Sequence, residues 1–144
     1  MEERFKKGFT AGAFDLFHMG HLKLLRRCKE MCEYLIVGVL TDEYILYTKG
    51  KEPYIPLQER IEIIQSIRYV DETVVVDFHN TLKINALKLY DFDCCFSGND
   101  HEKEELWQND KRRVEANGAK MIFFPYTMSV SSSKIKNLIE KDLI

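Results

Sequence analysis

Phe9-Thr10-Ala11 runs into Gly12-Ala13-Phe14-Asp15-Leu16-Phe17-His18-Met19-Gly20-His21, and the reading of this stretch decides the fold. Phe9 to Ala11 can close a first strand, although its apolar signal is short. Beyond it, Leu22, Leu25, Cys28 and Cys32 recur at helical spacing, with Lys23, Arg26, Arg27 and Lys29 covering the other side. Tyr34 to Leu40 is then nearly continuous in apolar residues and partly β-branched, which suits a strand buried on both faces. A strand, a glycine-bearing turn, an amphipathic helix and a buried strand make a parallel βαβ unit.

The same alternation continues outward. Thr41-Asp42-Glu43 can start a short helix, and either Thr41 or Asp42 suits its N-cap. Lys49 to Pro56 reads as a loop from its glycine and two prolines, with Pro56 in the first turn of a helix from Leu57 to Arg68. Ile61, Ile64 and Ile67 mark that helix's apolar face. Thr73 to Val76 is a strand, Leu82 to Leu89 a helix, and Asp93 to Phe96 a strand ended by Ser97-Gly98-Asn99-Asp100. A polar helix begins near Glu102 and stops at Asn117-Gly118, Lys120 to Phe124 is the last strand, and the serines at 129 to 133 open a last helix.

This order predicts an α/β fold: one Rossmann-like parallel sheet with helices on both faces, in a single domain over residues 1–144. Ligands of such sheets sit beyond the carboxyl ends of the strands. The chemically unusual clusters all fall there, at 12–21, 41–51, 97–101 and 125–133.

The chain has 144 residues, 45% hydrophobic and 31% charged, with a formal net charge of −2. No basic stripe argues for nucleic acid, and no run is long enough to span a bilayer, so we expect neither partner. The absence of a secretory leader and the four cysteines point to a cytoplasmic protein with buried thiols. Cys94 and Cys95 are adjacent in a strand and should face opposite sides of the sheet.

In the first loop, Gly12 and Gly20 let backbone amides approach a ligand. A helix that begins near His18 puts His18 and His21 about one turn apart on one face. A triphosphate there would meet free N–H groups and the positive end of the helix dipole. Imidazole donors can stabilise the charge that develops around a reacting phosphorus. Asp15 could hold Mg²⁺ or position the helix start, whereas Phe14, Leu16 and Phe17 read as packing residues.

The stretch from Gly12 to His21 strongly resembles the first signature of the cytidylyltransferase family, GxFDxxHxGH. The likeness extends through Tyr34 to Val39, Thr41-Asp42-Glu43, Lys49-Gly50-Lys51, Arg68-Tyr69-Val70-Asp71-Glu72 and Gly98-Asn99-Asp100. It covers almost the whole chain and is most similar to glycerol-3-phosphate, choline-phosphate and ethanolamine-phosphate cytidylyltransferases. The resemblance implies CTP, Mg²⁺ and a small phosphorylated alcohol, whose phosphate attacks the α-phosphorus directly to give a CDP-alcohol and pyrophosphate. It implies His18, His21 and Lys49 as catalytic residues. It implies a nucleotide site from Gly12, Ala13, Phe14, Asp15, Gly20, Lys51, Arg68, Gly98, Asp100, Tyr126, Thr127, Ser131 and Ser132.

Asp42 and His79 match positions near the acceptor, although His79 could equally cap the helix after Phe78. Asp15 is the metal candidate. Lys49 and Lys51 are expected to move as their loop closes. Arg68 matches a position linked to the nucleotide site and to a homodimer contact, and a solvated pair with Asp71 is the plainer alternative.

One motif departs from the family. Its RTEGIST[ST] pattern is here Tyr126-Thr127-Met128-Ser129-Val130-Ser131-Ser132-Ser133, so Tyr126 stands where an arginine normally binds triphosphate. A phenol donates one hydrogen bond and lacks the charged fork of a guanidinium. The serine run is also similar to the ISSS element of adenylyltransferases. ATP-dependent adenylyl transfer is therefore the second enzyme reading, and a catalytically impaired nucleotide sensor the third.

Overall fold

The computed structural model describes residues 4–125 and 132–140. Its strands are β1 (Phe5–Gly12), β2 (Cys32–Leu40), β3 (Glu72–Val76), β4 (Cys94–Gly98) and β5 (Lys120–Phe124). They form one sheet in the order β3-β2-β1-β4-β5, every pair parallel. The helices are α1 (Met19–Glu30), α2 (Asp42–Lys49), α3 (Leu57–Gln65), α4 (Lys83–Tyr90), α5 (Glu105–Ala116) and α6 (Ser132–Glu140).

Alternation along β2 explains the two-sided core. Leu35, Val37 and Val39 turn to one face, where they meet Leu25 and Cys28 of α1 and Ile64 of α3. Ile36 turns to the other, in a cluster with Phe9, Ile84 and Ala86 of α4 and Val114 of α5. Cys94 and Cys95 divide between the same two clusters, as strand geometry requires. All four thiols are free and buried, and burial pushes the Cys95 thiol up to about 12.

Several boundaries differ from the periodicity. β1 starts at Phe5 because it pairs in register with Cys32, and that same pairing takes Cys32 out of α1 into β2. α3 ends at Gln65, before Arg68, as a tight turn takes over with the Ile67 N–H donating to the Ile64 carbonyl. Pro56 has extended ψ of 157° and stands just before α3, outside its first turn. A 3₁₀ turn over Asn99–His101 occupies the chain after β4, so α5 begins at Glu105 and not near Glu102. Gly118, at φ +93°, stops that helix as expected.

β2 and β3 lie on one side of β1, and β4 and β5 on the other. The chain reverses direction of travel across β1 and β4, which opens a crevice over their carboxyl ends. The loop from 13 to 18 emerges there.

Candidate active site

The turn out of β1 is tightly wound. Phe14 and Leu16 both take left-handed backbone angles, φ 53° and 52°, which cost a non-glycine residue about 1 kcal/mol each. Phe14 is buried in the core, and its anchored ring helps hold this shape. The turn delivers His18 to the N-cap of α1.

There the two histidines cap the helix with their own side chains. His18 Nδ1 accepts the Gly20 N–H at 3.0 Å, and His21 Nδ1 accepts the His18 N–H at 3.3 Å. This is a capping box in which imidazole replaces the usual hydroxyl and carboxylate. A nitrogen that accepts carries no proton, so both rings are assigned as neutral tautomers protonated at Nε2. Burial lowers the pKa of His18; burial, with His18 beside it, lowers that of His21 to about 4. The rings stack with centroids 4.0 Å apart, and Phe14 and Phe17 flank His21 at 5.5 and 5.3 Å. The result is two adjacent neutral N–H donors of assigned orientation.

A cavity of about 190 Å³ lies against His21, lined by Gly12, Ala13, Phe14, Asp15, His21, Leu24 and Lys49. Lys49 is the last residue of α2, which Thr41 caps through its hydroxyl to the Tyr44 N–H at 3.1 Å. Gly50, at φ +73°, ends that helix in a conformation that favours glycine.

Beneath the cavity stands a residue that the motifs did not single out. Arg60 is completely buried. It donates to the carbonyls of Ala13 and Leu40, both at 2.8 Å, to that of Ile55 at 2.7 Å, and to Asp42 Oδ1 at 2.5 Å. A buried guanidinium is tolerated only when its donors are matched in this way. Asp15, also buried, accepts the backbone N–H groups of Tyr54 and Ile55, each at 2.9 Å. Three loops therefore share one polar network. Helical spacing did carry a signal for Arg60, because it falls between Leu57 and Ile64 on the buried face of α3.

A family model described as cytidylyltransferase-like matches residues 9–138. The chain belongs to that family. It is 35% identical to a glycerol-3-phosphate cytidylyltransferase of Bacillus subtilis over 134 residues, 93% of this chain and 97% of that one. It is 32% identical to an FAD synthase of Thermococcus kodakarensis over 143 residues, 98% of this chain and 95% of the other. Among solved structures, a lipopolysaccharide core biosynthesis protein of Thermoplasma volcanium superposes with TM-score 0.69 at 21% identity. It covers 85% of this chain and 97% of its own, a likeness of fold.

Within this family member, the structure gathers His21, Lys49, Asp15 and Gly12 to Phe14 around one cavity, with His18 stacked on His21. Other expected residues sit differently. The Gly20 amide, expected to face a ligand, is engaged by His18. Asp42 opens α2 with its carboxylate on Arg60, and Thr41, not Asp42, is the N-cap. Gly98 ends β4 and Asp100 is exposed in the 3₁₀ turn that follows, both at the carboxyl edge of the sheet and outside the lining of this cavity. Lys51 is exposed in the loop after α2.

His79 is exposed in a turn at the carboxyl end of β3, its N–H donating to Asp77 Oδ1 at 2.8 Å. It does not cap α4, whose first amides, Lys83 and Ile84, donate to buried Asp110 of α5. Arg68 precedes β3 and so lies at the amino edge of the sheet, away from the histidines. Its guanidinium lies over the Tyr69 ring at 5.2 Å, and Asp71 pairs with Lys29 instead, at 2.6 Å. Tyr126, Thr127 and Ser131 lie outside the described residues, as does the side chain of Ser132 at the start of α6.

Among the described residues, no group of three or more histidines, cysteines or acids could hold a metal ion. No helix among them is long and apolar enough to cross a membrane.

Proposed function

We propose that this nucleotidyltransferase transfers CMP from CTP to a small phosphorylated alcohol, glycerol-3-phosphate first, and releases pyrophosphate. The observation that carries the reading is the pair of neutral, stacked imidazoles beside the Lys49-lined cavity at the carboxyl edge. The acceptor phosphate attacks the α-phosphorus in line with the departing pyrophosphate. The Nε2–H donors of His18 and His21 bond the oxygens on which charge accumulates. Lys49 sets a positive charge against the triphosphate, and Lys51 adds a second from the adjoining loop. Holding two anions in register supplies much of the acceleration.

Gly98, Asp100, Tyr126, Thr127, Ser131 and Ser132 are assigned to the nucleotide side, Asp42 and His79 to the acceptor side. Mg²⁺ would arrive with the triphosphate and offset its charge, and Asp15 is the carboxylate of the cavity nearest in role. We further assign a single cytoplasmic domain that works as a homodimer, with Arg68 at the amino edge near the contact. Light scattering that returns a monomer mass at working concentrations would reject the dimer.

A second reading, adenylyl transfer from ATP, is favoured by the FAD synthase relatives and by Tyr126 in place of an arginine. Pyrophosphate release, measured with CTP and with ATP across a panel of phosphorylated acceptors, separates the two. Release with CTP and an alcohol phosphate is expected. Turnover with ATP alone supports the second reading, and nucleotide binding without turnover indicates a sensor.

A further inference from the structure

The residues between Lys49 and Tyr54, which Asp15 grips, suggest a task for a carboxylate otherwise assigned to a metal. Lys49 ends α2, and that helix is anchored by the Thr41 N–H on the Val76 carbonyl and by buried Ile45. Five residues on, the chain is gripped again. Asp15 Oδ2 and Oδ1 take the N–H groups of Tyr54 and Ile55, and the Ile55 carbonyl takes Arg60 Nε. The Tyr54 hydroxyl reaches Glu140 of α6 at 3.1 Å. Residues 50–53 are thereby a short strap between two held points. Three residues of extended chain span about 11 Å, so Lys51 cannot stray farther than that from the Tyr54 anchor.

We propose that Asp15 is a positioning residue that staples this strap to the turn carrying His18. Its buried carboxylate holds two consecutive backbone amides, an arrangement that orders a loop more than it offers a site for a cation. The lysine-bearing segment and the histidine-bearing turn then share one anchor and keep a common distance across the cavity. The staple limits how far the lysine loop travels on closure: residues 50–53 flex while 54–55 remain in place. What the strap serves rests on the nucleotidyltransferase reading; the staple itself does not.

The test compares full-length wild type, Asp15→Asn and Pro53→Gly. Asn preserves size but presents an amide donor to one of the two N–H groups, and Pro53→Gly loosens the strap without touching Asp15. Without any ligand, amide hydrogen exchange at Tyr54 and Ile55 is expected to rise at least tenfold in Asp15→Asn, with β1 and β2 unchanged. Unchanged exchange at 54–55 overturns the staple even if no nucleotide is ever turned over.

With CTP and glycerol-3-phosphate, both variants are expected to raise the nucleotide KM about tenfold or more at an unaltered Mg²⁺ half-saturation. A shifted Mg²⁺ requirement confined to Asp15→Asn would return the residue to metal binding. A wild-type KM in Pro53→Gly would overturn the strap's positioning role, and that readout stands if Asp15→Asn fails to fold.

Discussion

In the proposed mechanism His18 and His21 would each do two things with one ring. Nδ1 closes the helix start, and that bond selects the tautomer whose Nε2–H would meet a phosphate oxygen. His18→Ala should keep the fold, at a cost of about 1 kcal/mol for the lost cap. It should also lower kcat about 10²- to 10³-fold, as loss of one transition-state donor does. Near-normal turnover in steady-state assays would remove His18 from the mechanism.

The burial of His21, with His18 beside it, gives a pH signature. The His21 pKa is about 4 in the folded chain against 6.5 ordinarily, so between those values the unfolded state binds more protons. Stability therefore rises with pH across that window and falls as pH drops from 6.5 toward 4. Thermal melts from pH 4 to 7 should show this slope in wild type and a shallower one in His21→Asn.

At the scale of elements, the ends of β1 and β2, the start of α2 and α3 itself are brought together by one buried side chain. Arg60 joins the carbonyls at the ends of β1 and β2 to the loop before α3. Arg60→Met removes the donors, leaving Asp42 and the carbonyls to find water, and should destabilise the chain by about 3–5 kcal/mol in urea titrations. Arg60→Lys should recover only part, because an ammonium cannot reach in several directions at once.

Periodicity made most elements legible, because each buried stripe or apolar run had one period. It failed where tertiary pairing overrode it. Cys32 fits the helical spacing of Leu25 and Cys28, yet its place opposite Phe5 makes it strand. Arg60 fits the buried face of α3 but, as a charge, did not count toward an apolar stripe. Asp15 was visible in the motif, while its partners 39 and 40 residues away were not.

For the whole molecule, one parallel sheet with its ligand beyond the carboxyl ends was the decisive expectation, and the observed strand order β3-β2-β1-β4-β5 puts the crevice beside the loop that follows β1. The first loop and Lys49 converge there from elements that no local pattern could bring together. The fold alone does not choose the nucleotide. Relatives of similar identity are a glycerol-3-phosphate cytidylyltransferase and an FAD synthase. Arg68 shows the opposite limit, since its motif was clear but its position before β3 puts it at the far edge of the sheet.

The most direct measurement follows the α-phosphate. The enzyme is incubated with CTP labelled at the α-phosphorus and with glycerol-3-phosphate, and the label is traced. Direct transfer predicts label in a cytidine diphosphate-linked glycerol, formed only when both substrates are present, with none retained on the protein. Label held covalently by the protein, or no labelled product with any phosphorylated alcohol, would contradict the account.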